Sequence, residues 1–203
     1  SSSAASDVYK RQGQKRLTGD FAPVTVIREN RKDDRKRNMI KHVLFDLDGT
    51  LLPMDQNEFV KYYMPLLAKR FVKYGMEPKA LIGTIWKGVE AMVLNDGSTT
   101  NEDAFWKCFE EISGLSRAEV EQETLDFYAN EFNEAIASTK PNPRADQVVK
   151  LLKEHGVKVY LATNPIFPRV GTMNRIRWAG IDAEDFEVIT TYETYHYLSL
   201  IHI

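Results

Sequence analysis

HVLFDLDGTLL, residues 42–52, joins a short apolar run to a turn that carries two carboxylates two positions apart. The run His42-Val43-Leu44-Phe45 stops at Asp46-Leu47-Asp48-Gly49-Thr50, which predicts a strand buried on both faces and ending in a turn. Gly49 allows that turn to be tight and lets the backbone approach a ligand closely. Asp46 and Asp48, so near each other and an apolar strand, are costly without a cation. A bound Mg2+ answers that cost, because it takes hard oxygen ligands and brings phosphate with it.

Downstream, apolar residues recur at three and four through four tracts, the pattern of amphipathic helices. Phe59, Tyr63, Leu66, Leu67 and Phe71 mark the first, with Asp55 and Glu58 placed as cap and third helical residue and Gly75 as its end. Leu81, Ile85, Trp86, Val89 and Val93 mark the second, closed by Asn95-Asp96-Gly97. The third, capped at Thr100, carries Phe105, Phe109 and Ile112; the fourth starts near Ser116, with Leu125, Tyr128, Phe132 and Ile136 on one stripe. These tracts predict a compact helical unit over 56–139. After Lys140-Pro141-Asn142-Pro143 comes a helix with Val148, Val149, Leu151 and Leu152, then a second strand at 157–162 (VKVYLA) that stops at Thr163-Asn164-Pro165. A helix over about 167–179 and a third strand at 186–190 (FEVIT) follow. Strands alternating with helices predict an α/β fold with a parallel sheet, whose ligands bind at strand C-terminal ends. Thr163 and Asn164 occupy that place on the second strand, with a hydroxyl and an amide N–H for phosphate oxygens. Paired acids plus such donors point to phosphoryl transfer.

On these residues the chain resembles a known family. HVLFDLDGTLL at 42–52 and VYLATN at 159–164 are similar to motifs I and II of the haloacid dehalogenase-like hydrolase superfamily. The resemblance covers 40–197 and includes Arg175-Ile176-Arg177-Trp178-Ala179-Gly180-Ile181, leading into Phe186 and Thr190. It implies a Rossmann-like three-layer parallel sheet, formed by 39–55 and 140–197, with 56–139 as an inserted α-helical cap of the C1 type. It also implies a chemistry. Asp46 is then the nucleophile that forms an aspartyl phosphate, and Asp48 the general acid for the leaving alcohol and afterwards the base for water. Mg2+ sits on the Asp46 carboxylate and the Asp48 backbone carbonyl, while Thr163, with Asn164 and Gly49 beside it, holds the phosphoryl oxygens. Dehalogenases of the superfamily lack an aspartate at the second place, so Asp48 points to a phosphatase acting on a small phosphorylated metabolite, or to a phosphomutase. The reading from another class is a non-catalytic binding or regulatory module whose helical unit docks a partner protein.

Composition and the chain ends complete the expectations. The 203 residues are 43% hydrophobic and 28% charged, with one cysteine, Cys108, and histidines at 42, 155, 196 and 202 without zinc-ligand spacing. No apolar run approaches the roughly 20 residues of a membrane helix, and no signal peptide is visible. A cytoplasmic, bacterial setting is expected. The ends read differently from the body. DVYKRQ at 7–12 and LSLIHI at 198–203 can be encoded by one DNA sequence read in opposite orientations, which resembles the mosaic-end adapter of transposase-based sequencing libraries. Residues 1–12 and 198–203 are therefore expected to be adapter-derived. Residues 13–38, ending in RKDDRKRN before the first methionine, Met39, are expected to be a translated leader that does not pack. Residues 1–38 carry 10 of the 27 basic residues but 5 of the 29 acidic ones, so the remainder is net −7, which argues against a nucleic-acid partner. In the family, a lysine beside the nucleophile and an acidic motif that completes the Mg2+ shell follow the third strand; neither is found before Tyr197. The chain is thus expected to be a truncated piece, inactive by itself and prone to aggregate through strand 43–47 as an open edge.

Overall fold

The computed structural model describes residues 25–26 and 40–197. The stretches 1–12 and 198–203 and nearly all of 13–38 lie outside the described residues. Strand β1 is Thr25–Val26, β2 is His42–Phe45 and β3 is Lys158–Leu161. The α-helices are α1 (Gln56–Phe71), α2 (Pro78–Val93), α3 (Asn101–Ser113), α4 (Arg117–Ala129), α5 (Pro143–Glu154) and α6 (Arg169–Trp178).

β2 and β3 are parallel, with Val43 beside Val159 and Phe45 beside Leu161. These four side chains share one face and are buried, in one cluster with Ala145 and Val149 of α5 and Ile176 of α6. Leu44 and Tyr160 on the opposite face are only half-buried. The burial expected on both faces of β2 is thus met on one, and side-chain alternation along the strand decides which residues sink. Of the third strand expected at 186–190, one parallel bridge forms, Leu161 to Ile189. The Glu187, Leu161 and Thr190 N–H groups donate to Val159, Val188 and Leu161 carbonyls at 2.8, 2.9 and 3.0 Å, so the backbone lies beside β3 without running as a regular strand. On the other side, β1 pairs antiparallel with β2, Thr25 opposite Leu44 and Val26 opposite Val43. The tract 13–38 is read from the sequence as one that does not pack. At these two residues the structure differs, because the outer edge of β2 offers N–H and C=O groups for a strand to satisfy.

The helical elements follow their caps. Asp55 Oδ1 accepts from the Asn57 and Glu58 N–H groups (2.9 and 3.1 Å) at the start of α1, and Thr100 Oγ1 accepts from Asp103 N–H (3.1 Å) at the start of α3. The fourth tract is the exception. α4 ends at Ala129, and 131–138 continues as a 3-10 helix. Its 120° step brings Phe132 and Ala135 inward, three residues apart, and turns Ile136 outward, where it is 46% exposed. Ile112, Val148 and Leu151, also expected inside, are exposed as well.

The helices between 56 and 138 share an aromatic core that includes Phe59, Tyr63, Phe71, Phe109, Phe127 and Phe132, and Phe167 enters it from the α/β part. Both chain crossings between the two parts lie side by side. Met54 bridges Thr139, and Lys140 N–H donates to the Pro53 carbonyl at 2.9 Å. Among the described residues no helix is long and apolar enough to cross a membrane.

Candidate active site

β2 ends at Phe45, and the chain turns at once, which places Asp46 and Asp48 at the C-terminal end of a strand. Leu52 N–H and Thr50 N–H both donate to the Leu47 carbonyl (2.9 and 3.1 Å), while Gly49 N–H donates to the Leu52 carbonyl (2.8 Å). Gly49 adopts a φ of 78°, which suits a residue without a β-carbon. Leu47, Leu51 and Leu52 are buried beneath the turn and anchor it. Because the Gly49 N–H is engaged within the turn, in this conformation Gly49 shapes the loop and does not present its N–H to a phosphate.

The two carboxylates have different surroundings. Asp46 accepts a hydrogen bond from its neighbour's N–H, Leu47, at 2.8 Å. Burial, and then the charge of Asp48, push its carboxyl up to about 6; hydrogen bonds from Leu47 and Thr163 and the charge of Arg175 pull less strongly the other way. Asp48 is also raised, by burial, against the opposing pull of Arg175. Asp48 Oδ2 forms an ion pair with Arg175 Nη1, and Asp48 Oδ1 is buried with no hydrogen-bond partner among the described residues. Thr163, at the end of β3, is 2% exposed, and its carbonyl accepts from Thr190 Oγ1 at 2.5 Å. The structure therefore brings Asp46, Asp48 and Thr163 together. Asn164 is exposed; its carbonyl accepts from Ile166 N–H (2.9 Å), which turns the chain toward Phe167.

Arg175 is the site residue that motif reading passes over. It lies on α6, the helix that follows the Thr163 loop, and it is fully buried. Its guanidinium carbon lies 4.1 Å from the centre of the Phe167 ring, and its Nε and Nη2 reach the Gly171 carbonyl (3.4 Å) and Thr172 Oγ1 (3.3 Å). These contacts hold the planar fork against Asp48. The helical repeat carries the available signal. Thr172, Arg175, Ile176 and Ala179 fall at i, i+3, i+4 and i+7 and all are buried, a stripe that apolar counting misses because two of its members are polar.

The two carboxylates fit a divalent cation. A raised Asp46, a buried unpartnered Asp48 oxygen and two acids at one strand end are what a hard cation with oxygen ligands relieves. Arg175 meets part of the negative charge from one side only, and no cluster of three or more acidic, histidine or cysteine side chains that could hold a metal occurs among the described residues. Asp48 also lines a small cavity of about 20 Å3, facing α1, α2 and Phe167.

The chain resembles L-2-haloacid dehalogenase from Xanthobacter autotrophicus, solved with chloropropionic acid covalently bound, at 16% identity and a TM-score of 0.37, over 79% of this chain and 60% of that one. It also resembles a protein of Bacteroides fragilis described as a haloacid dehalogenase-like hydrolase, at 18% identity and a TM-score of 0.34, over 76% of this chain and 65% of that one. The chain thus spans less than two thirds of the length of either. No curated protein matches it in sequence. The sequence profile of the haloacid dehalogenase-like hydrolases matches residues 40–189, which hold the Asp46 turn, the helical insert, Thr163 and Arg175. The chain belongs to the haloacid dehalogenase-like hydrolase family.

Proposed function

We propose that the protein is a Mg2+-dependent phosphomonoester hydrolase that acts on a small phosphorylated metabolite through an aspartyl phosphate on Asp46. The observation that carries this reading is the pairing of a second carboxylate, Asp48, with the first at the strand end, its Oδ1 buried without a partner while Oδ2 is held by Arg175. A lone nucleophile has no use for a second acid held in this way. A proton carrier does, and burial raises the Asp48 carboxyl, which helps it hold a proton to give.

In this mechanism one Asp46 carboxylate oxygen attacks phosphorus in line, and the bond from phosphorus to the ester oxygen breaks. Asp48 gives its proton to that leaving oxygen. The departing alcohol makes room for water, which loses a proton to Asp48 as it attacks phosphorus; the acyl-phosphate bond breaks, inorganic phosphate forms and Asp46 is restored. Thr163 offers its hydroxyl to the phosphoryl group, and Arg175 positions Asp48. Asp46 and the Asp48 loop would hold Mg2+, which when bound supplies positive charge against the phosphoryl oxygens.

The test is hydrolysis of an aryl phosphate by the full-length protein with Mg2+. Asp46→Asn is expected to lower kcat by at least about a thousandfold, the scale for loss of a nucleophile that acts as a unit with its partner. Equal rates in the two proteins would remove Asp46 from the role.

A further inference from the structure

Among the described residues, Asp48 is the one charged side chain that lines its cavity. Its remaining walls include Gln56 and Phe59 of α1, Trp86 and Val89 of α2, and Phe167. A second cavity of about 50 Å3 shares Val89 and Phe167 with it and continues among the aromatic rings of the helical core. Resting on the phosphatase reading, the oxygen that Asp48 protonates belongs to the leaving alcohol and lies within hydrogen-bond reach of the Asp48 carboxyl. The carbon skeleton on that oxygen then enters this cavity.

We propose that the leaving group is an uncharged apolar or aromatic alcohol, so that the substrate class is the phosphate monoester of a hydrophobic alcohol, with Phe59, Trp86, Val89 and Phe167 setting the preference. An anionic leaving group would be desolvated against ring faces with no cation in the cavity to receive it. A cationic one gains little, because Asp48, the one acid that lines the cavity, carries the proton for the leaving oxygen in this reading. A sugar would leave most of its hydroxyls facing rings, with the Gln56 amide among the few polar groups in reach. Apolar carbon instead gains by burial, and rings favour edge or offset contact with an aromatic guest. At about 20 Å3 the cavity has to widen to admit such a guest.

Calorimetric titration of the full-length protein with Mg2+ present tests this without requiring turnover. The probes are methylphosphonate, benzylphosphonate, 4-carboxybenzylphosphonate, 2-aminoethylphosphonate and benzyl alcohol. Benzylphosphonate is expected to bind about tenfold tighter than methylphosphonate or more, the scale on which an apolar pocket discriminates. It is also expected to bind tighter than both charged analogues. Trp86→Ala is expected to erase the advantage over methylphosphonate. Gln56→Arg, at an exposed position that leaves the fold intact, is expected to raise the affinity of the carboxylated probe alone. Equal binding of methyl- and benzylphosphonate overturns the inference and leaves the phosphoryl reading standing. A charged analogue that binds as tightly as benzylphosphonate also overturns it. Binding of benzyl alcohol with no binding of any phosphonate sinks the phosphoryl reading and supports the apolar cavity; no binding by any probe overturns both.

Discussion

Asp46 carries a measurable cost for its placement. Its carboxyl is raised from 3.8 to about 6, so between those values the folded chain binds more protons than the unfolded one and stability falls as pH rises. Above about pH 6 the full cost is present, roughly 3 kcal/mol for a shift of this size. Metal-free Asp46→Asn is therefore expected to be more stable than the parent at pH 7.5 by up to about 3 kcal/mol, with the gain vanishing near pH 4, as read by urea unfolding at both pH values. Arg175 acts in the opposite direction. Arg175→Met leaves the Asp48 charge buried without its partner, and a loss of about 3 kcal/mol or more at neutral pH is expected. Adding Asp48→Asn to that variant should restore much of the loss, and a double-mutant cycle showing no coupling would contradict the ion pair. Asp46, Asp48 and Thr163 were legible because acids and a hydroxyl after apolar strands are uncommon there without a task. Arg175 was not, because the buried stripe that holds it shows only when its polar members are counted with the apolar ones.

At the scale of elements, α6 decides how the two parts meet. A β-carbon built on Gly171 would stand 2.9 and 3.2 Å from the Cδ1 and Cε1 atoms of the buried Tyr128 ring, so a glycine is needed for α4 and α6 to approach. Gly171→Ala gains about 1 kcal/mol of helix propensity but overpacks the junction by about 1–3 kcal/mol. A net loss of about 1 kcal/mol is expected in denaturant unfolding, and a more stable variant would show that the junction yields. Nearby, Asn101 Nδ2 donates to the Pro165 carbonyl (3.1 Å) and Asn174 Nδ2 to the Tyr128 carbonyl (2.6 Å), two buried amides that tie the helical part to the loop and helix beside the site. Helix starts were readable from caps: Asp55 and Thr100 accept from N–H groups that the first turn leaves open, and at the start of α4 the Glu119 carboxylate accepts from the Ser116 N–H. The change from α to 3-10 after Asn130 was not. It depends on Phe132 and Ala135 reaching the core together, and i, i+3 spacing serves both helix types. The third strand was readable as an extended apolar run, but how far it pairs with β3 depends on the path of 182–187, which periodicity does not encode.

For the whole molecule, two cores set the architecture. One gathers the aromatic residues of the helical part and the other the apolar residues of the strands with α5 and α6. The division was legible in the switch from helical to strand-and-helix periodicity near Lys140, and the hydrogen bond from Lys140 to Pro53 places that switch at the crossing. The cavity beside Asp48 was not legible. Its walls come from residues up to about 120 positions apart, most of them with ordinary core patterns in sequence. The arrangement sets an acid pair at a strand end against an aromatic wall, and in the proposed phosphatase reading the helical part keeps bulk water from the acids. The central claim is that Asp46 accepts the phosphoryl group. It is tested most directly by acid-quenching the full-length protein during turnover of an aryl phosphate with Mg2+ and mapping the modified peptide by mass spectrometry. The account expects one phosphoryl group on the peptide that contains Asp46, labile to hydroxylamine and absent from Asp46→Asn. Turnover with no phosphoryl group on that peptide, or with the group on another residue, would contradict it.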